Sequence, residues 1–197
     1  MKSSARLLTL RLTLACAAVT ILSACAAAPT PPPTQTPAPT AIPTPLTLDE
    51  TRLKNAAYTL PDLGTVQLSD GKFEQAAGSG ATQVTRVDLV TTAVGDLNGD
   101  GTPDAAALLA LNTGGSGTFI ILTTLLNQNG QLIPAGSAAL GDRSQVQQLS
   151  VEGGLIRVNY LRSAPTDPMC CPSEKVQATY RLDQNTLSLV SESLPGK

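Results

Sequence analysis

The sequence predicts a mainly β domain, an antiparallel sandwich or curled sheet with one short N-terminal helix. Two observations point there. Beyond about residue 65 the chain runs in short stretches rich in Val, Leu, Ile and Thr, punctuated by Gly, Asn and Asp clusters. No alternation of such stretches with long helical patterns is present, which disfavours a parallel βαβ sheet. The stretch from Leu48 to Lys197 is long enough for one domain with a real core and too short for two.

Thr47-x-x-Glu50 reads as a capping box that opens a helix from Leu48 to about Asn55, ending before Tyr58 to Pro61. Thr65 to Leu68, the turn Ser69-Asp70-Gly71 and Lys72 to Glu74 read together as a hairpin. Strands are expected at Thr82 to Val94, Thr118 to Asn127, Val146 to Val151, Leu155 to Leu161, Val176 to Leu182 and Thr186 to Val190. Asn129-Gly130 and Gly153-Gly154 mark hairpin turns between them. Ala105 to Leu111 has a composition that serves a helix as well as a buried strand, and it is assigned here to a strand.

Ahead of the domain, residues 1–24 have the layout of a secretory signal. Lys2, Arg6 and Arg11 precede an uncharged run from Leu12 to Leu22, whose strongly apolar part is shorter than the roughly 20 residues of a membrane span. The run ends Leu22-Ser23-Ala24-Cys25, which resembles the bacterial lipobox. That resemblance implies cleavage before Cys25, acylation of its sulfur, and a protein anchored by lipid to the cell envelope, outside the cytoplasm. Residues 28–47 hold eight of the fifteen prolines and no charge, so they are expected to act as an extended tether, completing a segment from 25 to 47.

Loss of the signal with its three basic residues leaves ten basic against fifteen acidic side chains. That balance argues against nucleic acid as a partner and against electrostatic docking on a membrane. The aromatic residues Tyr58, Phe73, Phe119, Tyr160 and Tyr180 are few, there is no tryptophan, and they are expected in the core rather than in a stacking platform.

The chemistry centres on GDLNGDGTPDAA, residues 95–106. Asp96, Asn98 and Asp100 stand at positions 1, 3 and 5 of a calcium loop, Gly101 at 6, Thr102 at 7 with its carbonyl, and Asp104 at 9. A hard divalent cation needs six or more converging oxygens, and alternate residues of a tight loop supply them when glycine permits the reversal. Position 12 is Ala107 where an EF-hand has a bidentate Glu, so the last oxygens must come from water or elsewhere. The competing reading is a Gly/Asn/Asp-rich turn that needs no metal. The pattern resembles the loops of FG-GAP and VCBS-type β repeats and the dockerin calcium loop, although those families repeat the motif and one copy stands here. With LGDR at 140–143 and DPMCCPS at 167–173, the stretch also resembles a small β domain of bacterial envelope lipoproteins that is sometimes found beside META domains. Neither resemblance implies an activity.

Gly114-Gly115-Ser116-Gly117 lacks the lysine and helix of a phosphate loop and reads as a turn, and Arg143 reads as a member of an ion pair. Once Cys16 has left with the signal and Cys25 has taken lipid, Cys170 and Cys171 have only each other: they form a vicinal disulfide or remain reduced. The chain contains no histidine, which removes Ser-His-Asp and Cys-His nucleophile systems. The first expectation is therefore a tethered, non-enzymatic binding or structural module whose calcium stiffens a loop, with a protein or envelope polymer as partner. The alternatives are a carboxylate-dependent hydrolase of envelope polymers, to be recognised by a deep pocket lined by two acids outside the loop, and an accessory or inhibitor lipoprotein.

Overall fold

A computed structural model describes residues 48–76, 78 and 82–195. The expected signal peptide, Cys25 and the tether lie outside these residues. Helix α1 (Glu50–Lys54) is followed by eleven strands among the described residues. They are β1 (Ala57–Leu60), β2 (Gly64–Gln67), β3 (Lys72–Ala76), β4 (Val84–Gly95), β5 (Asp104–Asn112), β6 (Phe119–Gln128), β7 (Gln131–Asp142), β8 (Gln145–Glu152), β9 (Leu155–Arg162), β10 (Glu174–Asp183) and β11 (Thr186–Ser193). β3 to β7 form one antiparallel sheet in chain order, β11-β10-β9-β8 form a second, and β1 pairs with β2. The expected mainly β, antiparallel architecture is what the chain adopts.

The Ala/Leu-rich segment explains why its composition was ambiguous. β5 is the middle strand of the five-stranded sheet and is covered on both faces, so it is apolar throughout instead of alternating with polar residues. Ala106 and Leu108 face the second sheet, joined by Ile120 and Leu122 of β6 and by Ile156, Val158, Tyr160, Val176 and Tyr180 from across the interface. Ala105, Ala107, Leu109 and Leu111 face the other way and pack under Leu53 of α1 and Tyr58, Leu60 and Val66 of the β1–β2 hairpin. The two buried hydroxyls of β6 are satisfied within this arrangement: Thr123 donates to the Thr59 carbonyl at 3.3 Å and Thr124 to that of Gly136 at 3.0 Å.

Two glycines set how closely the sheets approach at their margins. A Cβ on Gly95 of β4 would lie 2.6 Å from Val151 of β8, and one on Gly136 of β7 would lie 2.5 Å from the backbone nitrogen of Leu187 in β11. Each sheet therefore closes against an outer strand of the other.

Three local expectations require correction. The N-cap is Asp49, whose carboxylate accepts from Arg52 N–H at 2.8 Å, so Asp rather than the Thr47 box begins the helix. The expected 65–74 hairpin is divided between layers, because β2 pairs back to β1 while β3 pairs forward to β4. A tight reversal between β1 and β2, with Asp62 and Gly64 at positive φ, lets Tyr58 to Leu60 form the strand that claims β2. β7 is not among the expected strands, and it carries Pro134 and Gly136, residues that are unfavourable inside a strand. It is an edge strand, and its pairing with β6 shifts register between Thr123 and Leu125, opposite these residues, where a missing donor and an unpaired residue are tolerated.

Candidate metal centre

The loop joins β4 to β5, leaving the first strand at Gly95 and entering the second at Asp104. Gly99 and Gly101 both lie at positive φ, the left-handed region the tight reversal requires. Asp96 accepts from Gly99 N–H at 2.7 Å through Oδ1 and from Gly101 N–H at 2.9 Å through Oδ2. Asn98 accepts from Asp100 N–H at 3.0 Å and donates its amide to the Asp100 carboxylate at 2.9 Å, while Asp100 accepts from Thr102 N–H at 2.6 Å. The side chain of Asn98 is the main cause that holds the Asp100 carboxyl below its ordinary value, assisted by the Thr102 backbone.

Asp104 differs from these exposed neighbours because it is fully buried. Its Oδ2 accepts from Leu97 N–H at 3.0 Å and its Oδ1 from Asn127 N–H at 2.8 Å, so one carboxylate ties the start of the loop to the end of β6. Burial pushes its pKa up, the Asn127 and Leu97 N–H groups pull it back, and the charges of Asp100 and Asp96 push it further up. Asn127 completes the junction by donating to the Pro103 carbonyl at 3.2 Å and accepting from Gly130 N–H at 3.0 Å. Sequence reasoning missed Asn127; the signal was its place two residues before Asn129-Gly130, where an Asn side chain can cap a turn.

Asp96, Asn98, Asp100, Thr102 and Asp104 thus share one loop, and a carboxylate oxygen that accepts one N–H keeps a lone pair for a second partner. A donor set made only of oxygens is the chemistry of calcium or magnesium. Among the described residues, no three His, Cys, Asp or Glu side chains are grouped so as to hold a metal ion. In this geometry the oxygens of Asp96, Asn98 and Asp100 are turned to the loop's own amides, and those of Asp104 to Leu97 and Asn127.

The remaining sequence candidates are structural. Asn112 accepts from Gly114 N–H and donates to the carbonyls of Gly115 and Gly117, making the glycine-rich segment a capped turn. Arg143 pairs with Asp142 at 2.6 Å and donates to the Ser116 carbonyl. Cys170 and Cys171 sit side by side on an exposed loop, their sulfurs in contact. Asp167 organises that loop by accepting from Ala164 N–H, Ser173 N–H and the Ser173 hydroxyl, each at 2.8 Å, and the Ala164 N–H is the main cause that lowers its carboxyl. A cleft beside Met169 holds both Asp142 and Asp167, but Asp142 accepts from Thr118 N–H and pairs with Arg143, Asp167 is bound to its own loop, and Asp167 is shifted away from use as an acid at neutral pH.

A second cleft, of about 500 Å³, adjoins the β4–β5 loop where the β8–β9 and β10–β11 turns meet Leu97 and Asn98. Among the described residues, no helix is long and apolar enough to cross a membrane.

Residues 102–185 match the model of the LppP/LprE lipoprotein family. The matched span runs from inside the loop, through β5 to β10, to the β10–β11 turn. It includes Thr102 and Asp104 and stops short of Asp96, Asn98 and Asp100. No curated protein and no solved structure matches the chain. Similarity to a lipoprotein family supports a bacterial lipoprotein associated with the envelope.

Proposed function

We propose that the chain is a surface-tethered extracytoplasmic lipoprotein whose β domain is a non-enzymatic binding or structural module with a calcium-stabilised loop. The observation that carries the loop reading is the buried Asp104 carboxylate, which joins Leu97 to Asn127 within the field of two further carboxylates. Like charges held this close oppose one another, and a cation between them removes the repulsion. Calcium held by Asp96, Asn98, Asp100, Asp104 and the Thr102 carbonyl would supply that charge and stiffen the β4–β5 loop at its junction with β6. Calcium is favoured over magnesium because it accepts irregular oxygen shells and gives up water readily.

The anchor reading rests on Leu22-Ser23-Ala24-Cys25 together with the family similarity. A domain held outside the cytoplasm by lipid, with no histidine and with the Asp142 and Asp167 carboxylates of the cleft beside Met169 both engaged in hydrogen bonds, fits recognition or support better than hydrolysis. The resemblance to envelope β domains found beside META domains fits the same role. Detergent phase partition of the native protein tests the anchor: wild type enters the detergent phase and Cys25→Ser moves to the aqueous phase. An intact mass showing unmodified Cys25 on the mature native chain would refute it.

A further inference from the structure

We propose that the cleft between the β4–β5 loop and the β8–β9 and β10–β11 turns binds a short peptide bearing a free ammonium and a free carboxylate. This rests on the reading of the domain as a binding module and names the site and ligand class, and it does not require the calcium ion.

The first observation is an unpaired charge couple. Five of the six arginines among the described residues are committed: Arg52 to the Gly130 carbonyl, Arg86 to Glu74, Arg143 to Asp142, Arg157 to Glu152, and Arg162 to Glu174 and Glu192. Arg181 alone has no side-chain partner, and Asp183, two residues on, has none either. Both line the cleft and stand on the same face of β10, roughly 7 Å apart along the strand. One guanidinium beside one carboxylate creates no net field for a phosphate or a polyanion, but it complements a ligand that carries both signs. The termini of an extended di- or tripeptide lie roughly 7 to 10 Å apart, a match for this couple.

The second observation is the rest of the lining. The unengaged amides of Gln184 and Asn185 offer paired donors and acceptors of the kind a peptide group uses. Gly153 and Gly154 put bare backbone on the opposite rim, so a ligand main chain can approach closely. Leu97 and Leu126 supply an apolar floor sufficient for a small side chain. No aromatic residue lines the cleft, so a sugar ring has no stacking surface, and the chemistry favours peptide over glycan.

The test uses the full-length mature chain in detergent micelles, with backbone amide shifts of Gly153, Gly154, Gln184 and Asn185 as the readout. Trialanine, its N-acetyl form, its C-terminal amide and cellobiose are titrated with calcium and with chelator. Trialanine should give saturable shifts, with about tenfold or more loss of affinity when either terminus is blocked. Arg181→Ala should remove the preference for the free carboxylate, and Asp183→Asn that for the free ammonium. Neither should move the melting temperature, since neither side chain has a partner. Absence of saturable shifts, equal shifts with cellobiose, or terminal preferences that survive both substitutions would overturn the proposal. Peptide shifts without any calcium effect on melting would support the cleft while the loop reading fails. A calcium effect without peptide shifts would overturn the cleft alone.

Discussion

Replacing Asp104 by alanine should cost far more than an ordinary loop substitution. The side chain is fully buried and is the acceptor for two backbone N–H groups, on Leu97 and Asn127, both of which belong to residues only 3% exposed. Each buried donor stranded without a partner costs about 1–3 kcal/mol, so Asp104→Ala should lose roughly 2–6 kcal/mol. Asp104→Asn keeps one acceptor oxygen and should lose about half as much. For a domain of this size a kilocalorie corresponds to about 2–4 °C in Tm, which places the alanine variant well within reach of circular dichroism melting. Hydrogen exchange gives the site-specific check, because the Leu97 and Asn127 amides should lose protection before β4 and the rest of β6. The pH dependence has a defined sign. Burial raises the folded carboxyl above its unfolded value, so the contribution of Asp104 is most favourable at low pH and declines as pH rises through the folded pKa. Asp100, held low by Asn98, acts oppositely: its contribution is present above the unfolded pKa and is lost as pH falls through the folded one. A loss below about 1 kcal/mol for Asp104→Ala, with unchanged exchange at both amides, would refute the account of this junction.

Gly136→Ala should destabilise by about 1–3 kcal/mol in urea unfolding, because its Cβ would press on the Leu187 backbone at 2.5 Å; a neutral result would mean the two sheets separate easily at this margin. Burial pushes the Tyr58 phenol far up and that of Tyr180 up to about 12, and Tyr160 is also raised by burial. The native chain should therefore show little tyrosinate absorbance at pH about 10, where free tyrosine is half ionised, and a half-complete transition there would contradict the packing of all three. Cys170 and Cys171 should form a disulfide with each other in the mature protein; two titratable thiols per denatured chain purified under oxidising conditions would exclude it.

The period-2 strands from β8 to β11 were legible because one face of their sheet meets the core and the other meets water, so polar and apolar residues alternate, as in Ile156, Arg157 and Val158. β5 was harder to read because burial on both faces erases the alternation. β7 was illegible because Pro134 and Gly136 answer to a neighbour strand, not to local preference: the bulge on β7 opposite Thr124 and the backbone of Leu187 explain them. Pairing was the least local feature. The Ser69-Asp70-Gly71 turn has hairpin chemistry, yet it carries only an isolated bridge between Ser69 and Lys72, since β1 and β4 compete successfully for the flanking strands. Within the candidate site, the spacing of Asp96, Asn98, Asp100 and Asp104 was visible, and so was the need for Gly101. The separate role of Asp104 was not, because it depends on Asn127, which lies 23 residues further along the chain. The Arg181–Asp183 couple escaped notice for a similar reason: it is distinguished by lacking partners that the other described arginines find in space.

The most direct test of the central claim is the thermal midpoint of the wild-type domain in chelator and in about 5 mM calcium, compared with Asp96→Ala and Asp100→Ala under the same conditions. At a hundredfold excess over Kd, calcium should contribute about 2.7 kcal/mol, a rise of roughly 5–11 °C, with less from magnesium and none in either variant. A wild-type midpoint that does not move between chelator and calcium would contradict the account and leave residues 95–104 as a turn closed by its own amides.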